Sequence, residues 1–178
     1  VNLVTAVTLG LALAFEPTEK DTMKHSPRPR NEPLLSGSLS WHIVLVSGLF
    51  LAAVFGIFEY ATRQGYPIEL SRTMTVNMLV VLEIFHLFFV RNIYGTSLSW
   101  KTVRATPAVW ACVAAVAIAQ VAVTYLPPFQ DDFGTAPVSG LDGLLLLGLG
   151  AVFFGIIAAE KQLRWLVGLS LQSRAERQ

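Results

Sequence analysis

Charge is what this sequence has least of. Of 178 residues, 14% are charged against 53% hydrophobic, where an average soluble domain carries roughly a quarter charged. The apolar residues also lie in long blocks, not in the short periodic stripes that build a globular core. Both features exclude an ordinary water-soluble domain and make the lipid bilayer the main solvent. The net charge is only +1, which excludes nucleic acid as a partner through any overall basic field. One cysteine, Cys112, is present; a single thiol forms no intramolecular disulfide and builds no metal site, so it reads as a small packing residue. There is no GxxxxGK[ST] run, no GxGxxG and no soluble stretch long enough for a nucleotide-binding domain, which excludes ATP hydrolysis by these residues alone. Internal repeats and low-complexity stretches are lacking too.

What is present is a series of five apolar blocks, at residues 1–15, 41–62, 73–90, 108–126 and 141–159. The last four approach the ~20 residues that span a bilayer as a helix, the element that satisfies its own backbone in lipid. The first would cover only about 22 Å of a ~30 Å hydrocarbon layer and reads as truncated at its N-terminus. It lacks an initiator methionine and a basic n-region, so it does not read as a signal peptide. The expected fold is an all-α membrane protein, a bundle of five transmembrane helices joined by polar loops. Lys20, Lys24, Arg28 and Arg30 in the first loop, Arg91, Lys101 and Arg104 in the third, and Lys161, Arg164, Arg174 and Arg177 in the tail place these three segments in the cytoplasm by the positive-inside rule. The fourth loop carries Asp131 and Asp132 and no basic residue. Trp41, Tyr60, Trp100, Trp110, Tyr125 and Trp165 lie near the block ends, where aromatic rings favour the headgroup level. Ala111, Ala115 and Ala119, and Ala151 with Gly155, stand at four-residue spacing and are expected to let helices approach closely.

The chemistry-bearing residues are the polar ones that a membrane helix should not contain. Glu83 sits in the third block, in VNMLVVLEIFHLFFV, where a charged side chain costs ~2.5–3.5 kcal/mol on insertion scales. A carboxylate at that depth can coordinate a cation or carry a proton; it can also be a protonated acid hydrogen-bonded to a neighbouring helix. His86 follows within ~60° around the helix and offers a hydrogen-bond partner that could orient the Glu83 carboxyl, or a hydrogen-bonded core residue. Asn77 lies roughly 120° from Glu83 and, like Gln120, is expected to bond between helices. Asn2 and Thr5 share a face of the first block and offer two neutral oxygens. Glu59 is placed to snorkel towards water.

The opening VNLVTAVTLGLALAFEPTEKDTM, followed by PRPRNEPLLSG, resembles the sixth membrane helix and following cytoplasmic loop of P-type ATPases of the calcium-pump-like branch. VLEIFHLF resembles their eighth helix, whose glutamate is a cation ligand. The resemblance extends over the whole chain as helices six to ten. It implies that Asn2, Thr5 and Glu83 are metal ligands, and that Glu19 and Asp21 are acidic residues of a coupling loop that docks against the phosphorylation domain. It further implies ATP-driven cation transport with ATP and Mg2+ as cofactors of the intact pump. The DKTGT motif, the phosphorylation, nucleotide-binding and actuator domains and the earlier transmembrane helices would then lie upstream as partners. Calcium pumps carry an aspartate where Ala6 stands and a Gly-Leu-Pro where Val7, Thr8 and Leu9 stand. With that carboxylate lost, a single Ca2+, a monovalent cation or a proton are all open as cargo. A bacterial plasma membrane is the expected location. Two other classes compete on the residues alone: a non-enzymatic accessory or structural membrane subunit, and half of a secondary transporter.

Overall fold

The computed structural model describes residues 2–15, 37–90 and 107–175, those at 2, 38 and 164–175 by backbone only. It is helical throughout, with no strand among the described residues. The helices are α1 (Asn2–Ala14), α2 (Gly37–Arg63), α3 (Ile68–Val90), α4 (Pro107–Tyr125), α5 (Pro127–Phe133) and α6 (Gly140–Ala175). Four segments are long and apolar enough to cross a membrane: Leu39–Arg63, Ile68–Val90, Pro107–Tyr125 and Gly140–Leu163. Leu3–Ala14 is a shorter apolar helix. Large apolar side chains cover the outside of the bundle, with Leu3 77%, Phe55 68% and Ile118 70% exposed. Such a surface belongs in hydrocarbon, and the chain is an integral, multi-pass membrane protein.

Helix boundaries depart from the apolar blocks where helix chemistry and membrane solubility part company. α3 begins before Thr73 because Ser71, Thr73 and Thr75 return their hydroxyls to the carbonyls of Pro67, Glu69 and Ser71 at 3.1, 2.7 and 2.7 Å. Bonded inward, these hydroxyls tolerate an apolar setting. Within the expected fourth loop stands α5, whose signals were in the sequence: Pro127 and Pro128 open it, and Gly134 closes it in the left-handed region at φ 60°. The tail begins as helix. α6 runs on past Ala159 to Ala175, since Glu160 and Lys161 are good helix formers and no proline interrupts them.

α3 is the centre of the bundle, touching α1, α2, α4 and α6. On one side Ile57, Ala61, Met74, Met78, Leu82 and Leu146 form a core shared by α2, α3 and α6. On another, Leu9, Ala12, Val80, Leu87, Val109 and Val116 join α1, α3 and α4. The helices alternate in direction. At one end Trp41 donates to Glu160 at 2.9 Å, Lys161 Nζ lies 5.6 Å from the Phe89 ring centre and Phe88 meets Trp110. This end therefore gathers the helix termini that border the first and third loops together with the residues just beyond the last apolar block. At the other end Ala136 N donates to Thr73 Oγ1 at 2.9 Å and Tyr125 Oη to the Val138 carbonyl at 2.8 Å. There Ser139 caps α6, accepting from the Asp142 backbone and donating to its carboxylate at 2.7 Å. The Asp142 carboxylate in turn holds the Tyr66 phenol above its ordinary pKa.

The small residues expected to permit close approach do not do so between the helices described. Ala111, Ala115, Ala119, Ala151 and Gly155 all face outward within this chain. Four-residue spacing finds a stripe but does not say which face meets a neighbour. The close approach falls on Gly150, which is buried: a Cβ there would lie 2.5 Å from Val81 Cγ1 and 2.8 Å from Phe85 Cδ2 and Cε2.

Candidate ion-binding site

Glu83 points from α3 to α1. The Thr5 hydroxyl, 4% exposed, donates to Glu83 Oε2 at 2.6 Å, a short contact of the kind a carboxylate makes with a hydroxyl. Two of the sequence-derived candidates thus come together from segments 78 residues apart. Asn2 begins α1 one turn before Thr5, and its side chain lies outside the described ones. Glu19 and Asp21 lie outside the described residues. Cys112 is half-buried beside the α1–α3–α4 core.

His86 does not join Glu83. Its ring faces α2, 6.0 Å from the His42 ring centre and edge-on to Phe50 at 5.9 Å, with Phe89 at 6.2 Å in its own helix. Sixty degrees of separation on a helix is enough to direct neighbours to different partners when that helix is surrounded, as α3 is. Asn77 bonds between helices as expected, its Oδ1 accepting from Gln120 Nε2 at 2.5 Å and from Thr124 Oγ1 at 3.2 Å. Glu59 pairs with Arg63 at 2.8 Å on an exposed surface, side chains 60% and 79% accessible, a pair worth little to stability. Sequence reasoning missed Thr124, whose signal was its spacing four residues after Gln120 on one face of α4. It also missed His42, which carries no marking apart from its ring.

The Glu83 and Thr5 pair supplies up to three side-chain oxygens at one place. Calcium takes six to eight oxygens, so the pair by itself is a proton or hydrogen-bond site, or one part of a larger cation site. Among the described residues no three histidine, cysteine, aspartate or glutamate side chains stand together to hold a metal ion.

A bundle of long apolar helices with a carboxylate and a hydroxyl paired across two of them defines a multi-pass membrane domain. Residues 1–163 match the family described as cation transporting ATPase, C-terminus, and the chain belongs to that family. Probable cation-transporting ATPase F of Mycobacterium tuberculosis (strain ATCC 25618 / H37Rv) is 40% identical over 139 residues, covering 78% of this chain and 15% of the relative. Cation-transporting ATPase pma1 of Synechocystis sp. is 32% identical over 143 residues, 78% of this chain and 16% of the relative. A calcium-transporting ATPase of Bacillus subtilis is 28% identical over 155 residues, 85% of this chain and 17% of the relative. The chain thus spans about a sixth of the length of the curated relatives it matches. These three relatives are bacterial, in agreement with the bacterial plasma membrane expected from the sequence.

Proposed function

We propose that Glu83 and Thr5, with Asn2 one turn away, supply oxygens to the transported cation of an ATP-driven pump. The observation that carries this reading is the 2.6 Å hydrogen bond between Thr5 and Glu83, which pairs an acid and a hydroxyl from different helices inside a membrane bundle. A site for Ca2+, a monovalent cation or a proton would draw its remaining ligands from helices outside this chain. ATP and Mg2+ would act in phosphorylation and nucleotide-binding domains beyond it. The relatives' names, which include cation- and calcium-transporting ATPases, support the class of cargo without deciding among ions. Glu19 and Asp21 fit a cytoplasmic loop that couples those domains to the helices, given the basic residues around them.

Cation-stimulated phosphorylation of the full-length protein, measured ion by ion, tests the reading. Thr5→Val keeps the side-chain volume and removes the hydroxyl. It is expected to raise the half-maximal concentration of the effective cation by about ten- to a hundredfold, since a hydrogen bond to a charged group contributes ~1.5–3 kcal/mol. Thr5→Ser should stay within about twofold on the same grounds. Unchanged cation dependence in Thr5→Val would remove Thr5 from the site. Neutralising Glu19 and Asp21 together to Asn should slow phosphorylation at saturating cation without moving the half-maximal concentration. Exposed single pairs contribute only ~0–1 kcal/mol, so both changes are needed; normal rates in the double variant would rule out the coupling role.

A further inference from the structure

α5 is fastened to the bundle along one line of its surface. Gln130 Nε2 donates to the Thr124 carbonyl at 2.7 Å, and just beyond the helix Thr135 Oγ1 donates to the Val123 carbonyl at 2.6 Å. Ala136 N then bonds Thr73 Oγ1 on α3. These contacts hold α5 at the end of α4, one residue past Tyr125, where that apolar helix stops. None of the residues of α5 is buried.

The free surface of α5 has two sides. Phe129 and Phe133 stand four apart and stack with ring centres 6.4 Å apart, and with Leu126 they are 41–53% exposed. At ~100° per residue Asp131 lies about 180° from the midpoint of the two rings, while Gln130 and Asp132 flank them at about 80° to either side. The helix is thus amphipathic over its full length, with Gln130 turned to α4 and Asp131 and Asp132 exposed. Its apolar side also continues from a face already suited to lipid: Ile118, Val121 and Tyr125 share one side of α4 by their spacing and are 70%, 56% and 47% exposed.

We propose that α5 lies in the membrane–water interface, with Phe129, Phe133 and Leu126 inserted at the boundary between lipid headgroups and acyl chains and Asp131 turned to water. Aromatic rings favour that depth, and a helix with one apolar and one charged side rests there in the plane of the membrane. A protein partner does not fit this surface: two rings of ~150–250 Å² each, about half exposed, fall far short of the ~800 Å² per partner of a stable interface. Residues 126–142 contain no lysine or arginine, so the attraction is to the apolar boundary and not to anionic headgroups. Through Gln130, Thr135 and Ala136, the inserted helix fixes the depth of this end of α3 and α4 in the membrane.

Spin labelling of the full-length protein, with Cys112 and any other cysteine replaced by alanine, tests it in vesicles of phosphatidylcholine and phosphatidylglycerol. Nitroxides are attached at Phe129→Cys, Phe133→Cys and Asp131→Cys, with Ile118→Cys as the hydrocarbon reference. Collision rates with oxygen, which concentrates in hydrocarbon, and with a water-soluble nickel chelate give the depth of each label. Labels at 129 and 133 are expected about 5–10 Å into the headgroup–acyl boundary, the label at 131 in water and the label at 118 deeper than all three. Omitting phosphatidylglycerol should leave these depths unchanged; loss of insertion without it would overturn the apolar basis of the contact. Equal nickel access at 129, 131 and 133 would mean that α5 stands off in water and would sink the proposal. Low access to both oxygen and nickel at 129 and 133 would sink it too, since protein then covers that side, either a second copy or a helix outside this chain. If Phe129→Cys fails to insert, Phe133→Cys against Asp131→Cys carries the comparison.

Discussion

Glu83→Gln in the intact pump is expected to raise the cation concentration for half-maximal phosphorylation about 100-fold, equivalent to about 2.8 kcal/mol at 1.4 kcal/mol per tenfold change, while leaving the bundle folded. The amide has the shape of the carboxyl and still accepts from the Thr5 hydroxyl, the 2.6 Å bond that ties α1 to α3. What it lacks is the negative charge, and with it the attraction that holds a cation in a medium where lipid offers no competing ligand. The thermal midpoint of the detergent-solubilised protein should therefore stay within a few degrees of the unmodified one. Glu83→Ala should reproduce the transport defect and also destabilise the protein, because the nearly buried Thr5 hydroxyl loses its acceptor. Wild-type cation dependence in Glu83→Gln would make the carboxyl a structural acid and leave α3 without a ligand.

Gly150→Ala is expected to lower the stability of the bundle by about 1–3 kcal/mol, the usual penalty for overpacking a filled interior. α3 and α6 approach so closely at Gly150 that a methyl group would stand 2.5 Å from Val81 Cγ1 and 2.8 Å from two Phe85 ring atoms. Gly155→Ala is the control: a Cβ there meets nothing within 4 Å, and alanine in a helix gains ~1 kcal/mol of propensity over glycine. Its midpoint should hold or rise. The double change Gly150→Ala with Val81→Ala should recover part of the loss, since the two positions share one contact. An unaltered midpoint in Gly150→Ala would mean that α3 and α6 separate at no cost.

Legibility differed from residue to residue for physical reasons. Glu83 stood out because insertion of a charge into lipid is expensive whatever the fold, so depth in an apolar block was enough to mark it. Asn77 and Gln120 were legible as residues needing partners, and each supplies the other. His86 was not placed, because a helix surrounded on several sides offers different neighbours to residues one turn apart. Gly150 and the alanine stripe differ only in what lies opposite them, a property of the partner helix. α5 carried its proline and glycine signals openly but was hidden by the assumption that a polar connection is a loop.

The sequence by itself determined that this chain lies in a membrane, that its elements are helices, how many apolar segments it has and which buried polar groups demand an explanation. Each follows from transfer free energies and backbone hydrogen bonding, which act on a segment irrespective of its neighbours. Only the tertiary structure decided that Thr5 answers Glu83, that His86 turns to α2, that Gly150 is where α3 and α6 close up, and that the α3–α4 seam is apolar towards one end and polar towards the other. Those are facts about which helix faces meet, and a face has no partner until helices distant in the chain are packed against it.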